Sequence, residues 1–166
     1  MNLASALISL RFNATGTNGT TGILPNAPSY SPTLSLDSVF ASGTGASQGN
    51  QLWTKQETAL AASGTATTRL DNASISDAFG ATLTFTKVKA LAIVNTGTVD
   101  ITLGGANGSV PATATPITIT PGGAYVVVNP SAAGWVVGSA STHTIVIVNT
   151  SGSVVAKYDL AVLGTV

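Results

Sequence analysis

The stretch Thr82-Leu-Thr-Phe-Thr-Lys-Val-Lys-Ala-Leu-Ala-Ile-Val94 decides how the rest of the chain is read. It is rich in β-branched residues and alternates in the manner of a strand with one buried face. Leu83 and Phe85 share one parity, whereas Val88, Ala90, Ala92 and Val94 share the other. Side chains alternate strictly across a strand, so this switch predicts a bulge or bend near Thr86 and Lys87. Asn95-Thr96-Gly97 follows and predicts a hairpin turn into a strand over Val99 to Leu103.

Working outward, the same pattern predicts strands at Ile117 to Thr120, Ala124 to Asn129, Trp135 to Gly138, Thr144 to Val148 and Val154 to Leu163. Pro121-Gly122-Gly123 has the proline-then-glycine order of a type II turn. Only Leu52 to Ala62 could carry a helix, and Thr54, Thr58 and the flanking glycines argue against one. Short strands separated by turn signals predict an all-β fold, an antiparallel β-sandwich of jelly-roll-like type over residues 51–166. Ile93-Val-Asn-Thr96 and Ile147-Val-Asn-Thr150 look alike and each precedes a turn and another strand, as two similar hairpins of facing sheets would, but coincidence explains this at least as well in a chain so rich in threonine and valine.

Residues 1–50 read as an extended N-terminal arm or loop region. Near the start, Ile8, Leu10 and Phe12 fall on one face of a short strand, with Leu7, Ser9 and Arg11 on the other. Residues 13–50 carry Asn18-Gly19, Pro25, Pro28 and Pro32, which break helices and central strands. The apolar segment Leu34 to Phe40 fits either an edge strand of the same domain or part of an arm that packs on a neighbouring subunit. Leu7, Ile8, Leu10, Phe12, Ile23 and Leu24 are the candidate apolar anchors of that arm.

Composition narrows the functional classes. Charged residues make up 7% of the 166 residues, six basic against six acidic, where an ordinary soluble domain has about 25%. The apolar share is 44%, enough for one packed core. A net charge of zero excludes an electrostatic nucleic-acid binder, which needs clustered lysine and arginine. With no cysteine there is no disulfide framework, thiolate metal site or cysteine nucleophile. The apolar run Met1 to Leu10 lacks a basic n-region and is too short to span a membrane, so a soluble, leaderless chain is expected. Five N-x-[ST] sequences barely exceed what so much serine and threonine gives by chance.

Chemistry-bearing residues are few and scattered. His143 is the sole histidine, which rules out a two-histidine metal site within one chain. Its simple reading is a strand-start residue beside Thr142 and Thr144. Asp71, Asn72 and Asp77 could offer oxygens to a hard cation, but the glycine and distal glutamate of a calcium loop are missing. A turn held by Asx side chains is the ordinary explanation. Gly43-Thr-Gly-Ala-Ser-Gln-Gly49 misses the phosphate-loop spacing and has no following lysine or helix. Trp53, Trp135, Tyr30, Tyr125 and Tyr158 could line a sugar-binding face, but in a chain with 5% aromatics they read as core anchors. No catalytic, cofactor-binding or metal-ligating residue is therefore assigned, and a non-enzyme is expected.

From about Phe40 onward the order of features resembles a group of tailed-bacteriophage virion proteins. The matching pieces are Phe40-Ala-Ser-Gly-Thr-Gly-Ala46, Leu52-Trp-Thr54, Leu70-Asp71, Asp77-Ala-Phe-Gly-Ala-Thr-Leu-Thr-Phe85 and Val88-Lys-Ala-Leu91. Asn95 with its turn, Leu103-Gly-Gly105, Pro121-Gly-Gly123, Gly134-Trp135, Ile147-Val-Asn149 and Tyr158-Asp-Leu-Ala-Val-Leu-Gly164 continue the series. The resemblance implies a virion structural role, on the capsid exterior or in the tail, and transfers no catalytic residue. The expected function is a capsid decoration (cement) protein made in the host cytoplasm, which trimerises and clamps the major capsid protein with its arm. A tail, baseplate or host-binding fibre-head subunit is the alternative. Neither nucleic acid nor membrane is an expected partner.

Overall fold

The computed structural model describes residues 5–13, 16–17, 29–30, 33–71, 74–104, 115–138 and 144–166. All regular elements among them are strands. In chain order they are β1 (Ser5–Asn13), β2 (Gly16–Thr17), β3 (Ser29–Tyr30), β4 (Thr33–Ala41), β5 (Gln51–Leu60), β6 (Thr65–Arg69), β7 (Ile75–Ser76) and β8 (Thr82–Leu83). The second half supplies β9 (Lys87–Asn95), β10 (Ile101–Leu103), β11 (Ile117–Ile119), β12 (Ala124–Val128), β13 (Trp135–Val136), β14 (Thr144–Asn149) and β15 (Ala156–Thr165).

Two antiparallel sheets form a sandwich. One has the order β12-β9-β15-β5, with β13 continuing along the β12 side of β9. The other has the order β11-β10-β14-β6. Their inner faces share a core in which Leu91, Ile93, Leu160 and Val162 of the first sheet join Ile101, Leu103, Ile145 and Ile147 of the second, all at most 3% exposed. The consecutive pairs β5–β6, β9–β10, β11–β12 and β14–β15 each change sheet. Thr120 to Gly123 makes one of these crossings as the expected type II turn, with Gly122 at φ +73° and the Gly123 amide donating to the Thr120 carbonyl at 2.8 Å.

The crossing after β9 corrects the hairpin expected at Asn95. Strand β9 pairs with β12, β13 and β15, whereas β10 pairs with β11 and β14. The physical reason is the Asn95 side chain, which is fully buried instead of lying at a hairpin tip. Its Nδ2 donates to the Val99 and Ile119 carbonyls, both at 2.8 Å, and its Oδ1 accepts the Gly97 amide at 3.0 Å. Asn149 repeats the device at the crossing from β14 to β15. Its Nδ2 reaches the Leu60, Ala61 and Val154 carbonyls at 3.1, 2.8 and 2.8 Å, and its Oδ1 accepts the Ser151 amide. The two Ile-Val-Asn-Thr segments are therefore matching corners, one leaving each sheet. Buried main-chain acceptors require donors, and at these corners the asparagine amide supplies them.

The expected bend is present near Thr86, and a second irregularity follows it. Leu83 and Phe85 point into the core, and Val88 joins them after the chain bends at Thr86. A register irregularity then pairs Leu163 with Ala90 but Gly164 with Val88, which leaves Lys89 as the extra residue on β9. Beyond this bulge Leu91 and Ile93 face the core, while Ala90 belongs to the opposite face. Val88 thus groups with Leu91 and Ile93, not with Ala90, Ala92 and Val94. Gly164 permits the close approach, because a Cβ there would meet the Lys87 carbonyl and lie 2.6 Å from the Phe85 ring.

The first fifty residues hold structure of their own. Instead of a single extended arm, β1 and β4 pair antiparallel along nine positions, from Ser5 with Ala41 to Asn13 with Thr33. Strand β4 is therefore not an edge strand of either sandwich sheet. At the base of this hairpin Phe40, 0% exposed, packs with Ala6 and Ile8 onto Ala90, Leu163 and Val128. Those three belong to the outer face of the five-stranded sheet, so one end of the hairpin is anchored by a small second core.

Candidate interaction surfaces

The bulge that reorients β9 also builds the junction below the hairpin. Lys89 is 0% exposed, and its ammonium donates to the carbonyls of Gly45 at 3.3 Å, Ala132 at 3.1 Å and Ser131. Three donors thus meet three main-chain acceptors from two loops. Burial, and then the neighbouring Lys87 charge, push Lys89 below the ordinary lysine value. Gly134 lies against the same site in the left-handed region, φ +58°, where an added Cβ would lie 2.8 Å from the Val88 carbonyl oxygen. The glycine-rich stretch Gly43–Gly49 is part of this junction. Its Gly45 amide donates to Gln48 Oε1 at 2.7 Å, and its Ser47 amide donates to the Pro130 carbonyl at 2.7 Å.

The hairpin carries apolar side chains on both faces. On the sandwich side lie Ala6, Ile8 and Phe40, but Leu10 continues that stripe at 53% exposed. On the other face Leu7 and Val39, directly paired across the strands, are 64% and 62% exposed. The polar groups alongside form one small network, with Ser9 donating to Asp37 at 2.6 Å and Arg11 lying 3.9 Å from the same carboxylate. Of the expected anchors, Leu7 and Leu10 are thus exposed and Ile8 is half-buried. The Phe12 backbone pairs with Leu34, and Ile23 and Leu24 lie outside the described residues.

A groove of about 290 Å³ runs between the hairpin base and the sheet beneath it, lined by Ala6, Ile8, Leu52, Ala92, Ala161 and Leu163 among others. In the five-stranded sheet, Val136 and Thr165 both pair with Lys87 from opposite sides. Val136 and the adjacent Val166 are 64% and 58% exposed. Phe79 is the most exposed large apolar residue described, at 80%. It sits on a turn fixed by Asp77, whose Oδ1 accepts the Phe79 and Ala81 amides at 2.8 and 2.9 Å. These bonds, the Ala81 one foremost, hold the Asp77 carboxyl below the ordinary aspartate value.

Asp71 receives a two-pronged bond from Arg69 at 2.9 and 2.7 Å. Among the described residues no group of three or more histidine, cysteine, aspartate or glutamate side chains comes together. His143 and Asn72 lie outside them. A second, more polar cleft of about 550 Å³ lies between β5 and β6, beside Trp53, Lys55 and Arg69. Its cations are already paired, Lys55 with Glu57 at 3.0 Å and Arg69 with Asp71. Trp53 is 6% exposed and belongs to the core, against which Trp135 also packs.

Against protein-family models, curated proteins and solved structures, the chain gives no match. Among the described residues no helix is long and apolar enough to cross a membrane. The surfaces themselves carry the functional reading. Phe79, Val136 and Val166 were missed as contact candidates at the sequence level, whereas Val39 lies in the segment read as part of an arm or as an edge strand. The signal for Phe79 was present, because an aspartate two residues before it and a glycine after it specify an exposed turn tip.

Proposed function

We propose that this chain is a bacteriophage virion structural protein, a capsid decoration (cement) protein that oligomerises on the outer capsid surface and stabilises the shell. The observation that carries this reading is the hairpin, anchored at its base by Phe40 yet exposing Leu7 and Val39 on its opposite face and Leu10 farther along. Large apolar groups left in water on an anchored element are contact surface in search of a neighbour. Val136, and Val166 next to Thr165, flank Lys87 in the five-stranded sheet and are exposed as well. The sandwich, read as jelly-roll-like from its strand orders and sheet-changing connections, is a rigid frame able to present such a surface repeatedly on a symmetric shell. The partners in this reading are two further copies of the chain, forming a trimer, and the major capsid protein. A host-glycan-binding fibre head is less well supported, since Trp53 packs inward.

The test is binding to capsids that lack this protein. Saturable binding is expected to survive moderate salt, because few ion pairs are available to screen. Deleting residues 1–30 removes β1 and should abolish binding while the sandwich stays folded. A truncated protein that still saturates capsids would remove the hairpin from the mechanism.

A further inference from the structure

We infer that the hairpins of neighbouring copies pair edge to edge, β1 of one copy adding to β4 of the next, so that the two-stranded ribbons become one continuous sheet. The inference deepens the proposed function and rests on its self-assembly part, not on the capsid as partner.

Among the described residues, β1 pairs only with β4, and β4 only with β1 until Ala41, where the loop at residues 47–49 bonds its end. Among the described residues each strand therefore has a second edge of main-chain donors and acceptors with no strand beside it, from Ser5 to Asn13 in β1 and from Thr33 to Phe40 in β4. A two-stranded hairpin alone is marginal in water, and open edges of this length are templates for another strand. Charged side chains, lysine above all, are the usual protection of such an edge. Here β1 carries one charge, Arg11, and β4 one, Asp37.

The occupant follows from complementarity. Within one chain the two strands already match, Leu7 with Val39, Ser9 with Asp37 and Ala6 with Phe40. Pairing the outer edge of β1 with the outer edge of a second copy's β4 can repeat this register. Opposed residues then keep their faces, and an alternation of main-chain groups that suits the inner edge suits the outer one also. Leu7 and Val39 would form an unbroken apolar ladder across the copies, covering the two residues now exposed at 64% and 62%. It also sets the Arg11 strand beside the Asp37 strand, whereas β1–β1 or β4–β4 pairing joins strands of like charge. This contact is heterologous, and it closes into a ring when the rotation per copy allows.

The absence of cysteine makes the register directly measurable. Single variants L7C and V39C are mixed in equal amounts under mild oxidation, and I8C is mixed with S38C in the same way. Consecutive antiparallel pairs alternate between wide and narrow, so one of the two mixtures has the spacing a disulfide needs. The expected result is a mixed disulfide between unlike variants in one mixture, exceeding the self-linked products. Light scattering of the double variant L7K/V39K should give the 16.4 kDa monomer where the native chain gives an oligomer. An oligomer without mixed disulfides would overturn the edge pairing but leave self-assembly standing. A native chain that is monomeric well above micromolar concentration would overturn both. Mixed disulfides in a protein that binds no capsid would support the pairing and overturn the cement function.

Discussion

The hairpin and the sandwich are built from the same kind of sequence, short alternating strands poor in charge, yet they stand differently in the fold. In the sandwich, β9 and β15 each have strands on both sides, and their inward residues are at most 3% exposed from Val88 to Leu160. In the hairpin, β1 and β4 have essentially each other, and the apolar face extends past the second core to leave Leu10 half exposed. Alternation alone thus makes a strand but does not make a core. What separates the regions is a second layer, which the sandwich has along its length and the hairpin has only at its base.

The sharpest way to break this comparison is to truncate equivalent apolar side chains in the two regions. Leu91→Ala empties a site closed on all sides and should cost about 2–5 kcal/mol in urea unfolding. Leu10→Ala should cost no more than about 1 kcal/mol, since about half of its side chain is already in water. Comparable losses at the two sites would mean that the hairpin's outer part is covered within the monomer.

The corner asparagines sharpen the sandwich side. Asn149→Ala leaves three buried or part-buried carbonyls without their amide donor and should cost about 2–3 kcal/mol by the same measurement. Asn95→Ala removes two such bonds and should cost less. The reverse order would mean that the number of amide bonds does not set the cost of a corner.

The smallest expected effect is a pH response confined to the Phe79 turn. The folded state holds the Asp77 carboxyl below its ordinary value of 3.8. Its contribution to stability is therefore complete above that value and is lost as the pH falls through the lowered folded value. Melting temperatures of the native chain and Asp77→Asn should converge as the pH drops from 5 to 2. A gap that stays constant over that range would mean that ionisation of Asp77 does not support the turn.

Much of the fold was legible locally. The strand at Lys87–Asn95 announced itself through β-branched alternation, and Pro121-Gly122 specified its turn through fixed proline φ and positive glycine φ. Strand β6 was not legible, because Thr-Ala-Thr-Thr-Arg has little hydrophobic contrast and lies at a sheet edge where only one neighbour is needed. The place of Lys89 was not legible for a different reason. A lysine normally marks the solvent side of a strand, but a bulge turned this one inward, where carbonyls from two distant loops receive it.

By itself, the amino-acid sequence determined that this chain forms β-strands, that it has apolar material for a core, and that few charges guard its surface. Those properties depend on period, composition and turn residues, all of which act within a few positions of each other. Only the tertiary structure decided which strands pair, that Asn95 and Asn149 carry the chain between sheets instead of into hairpins, and that the first fifty residues include a folded-back ribbon. Each of these depends on where a buried polar group finds its partner across the fold, and that partner lies up to 89 positions away, as between Asn149 and Leu60.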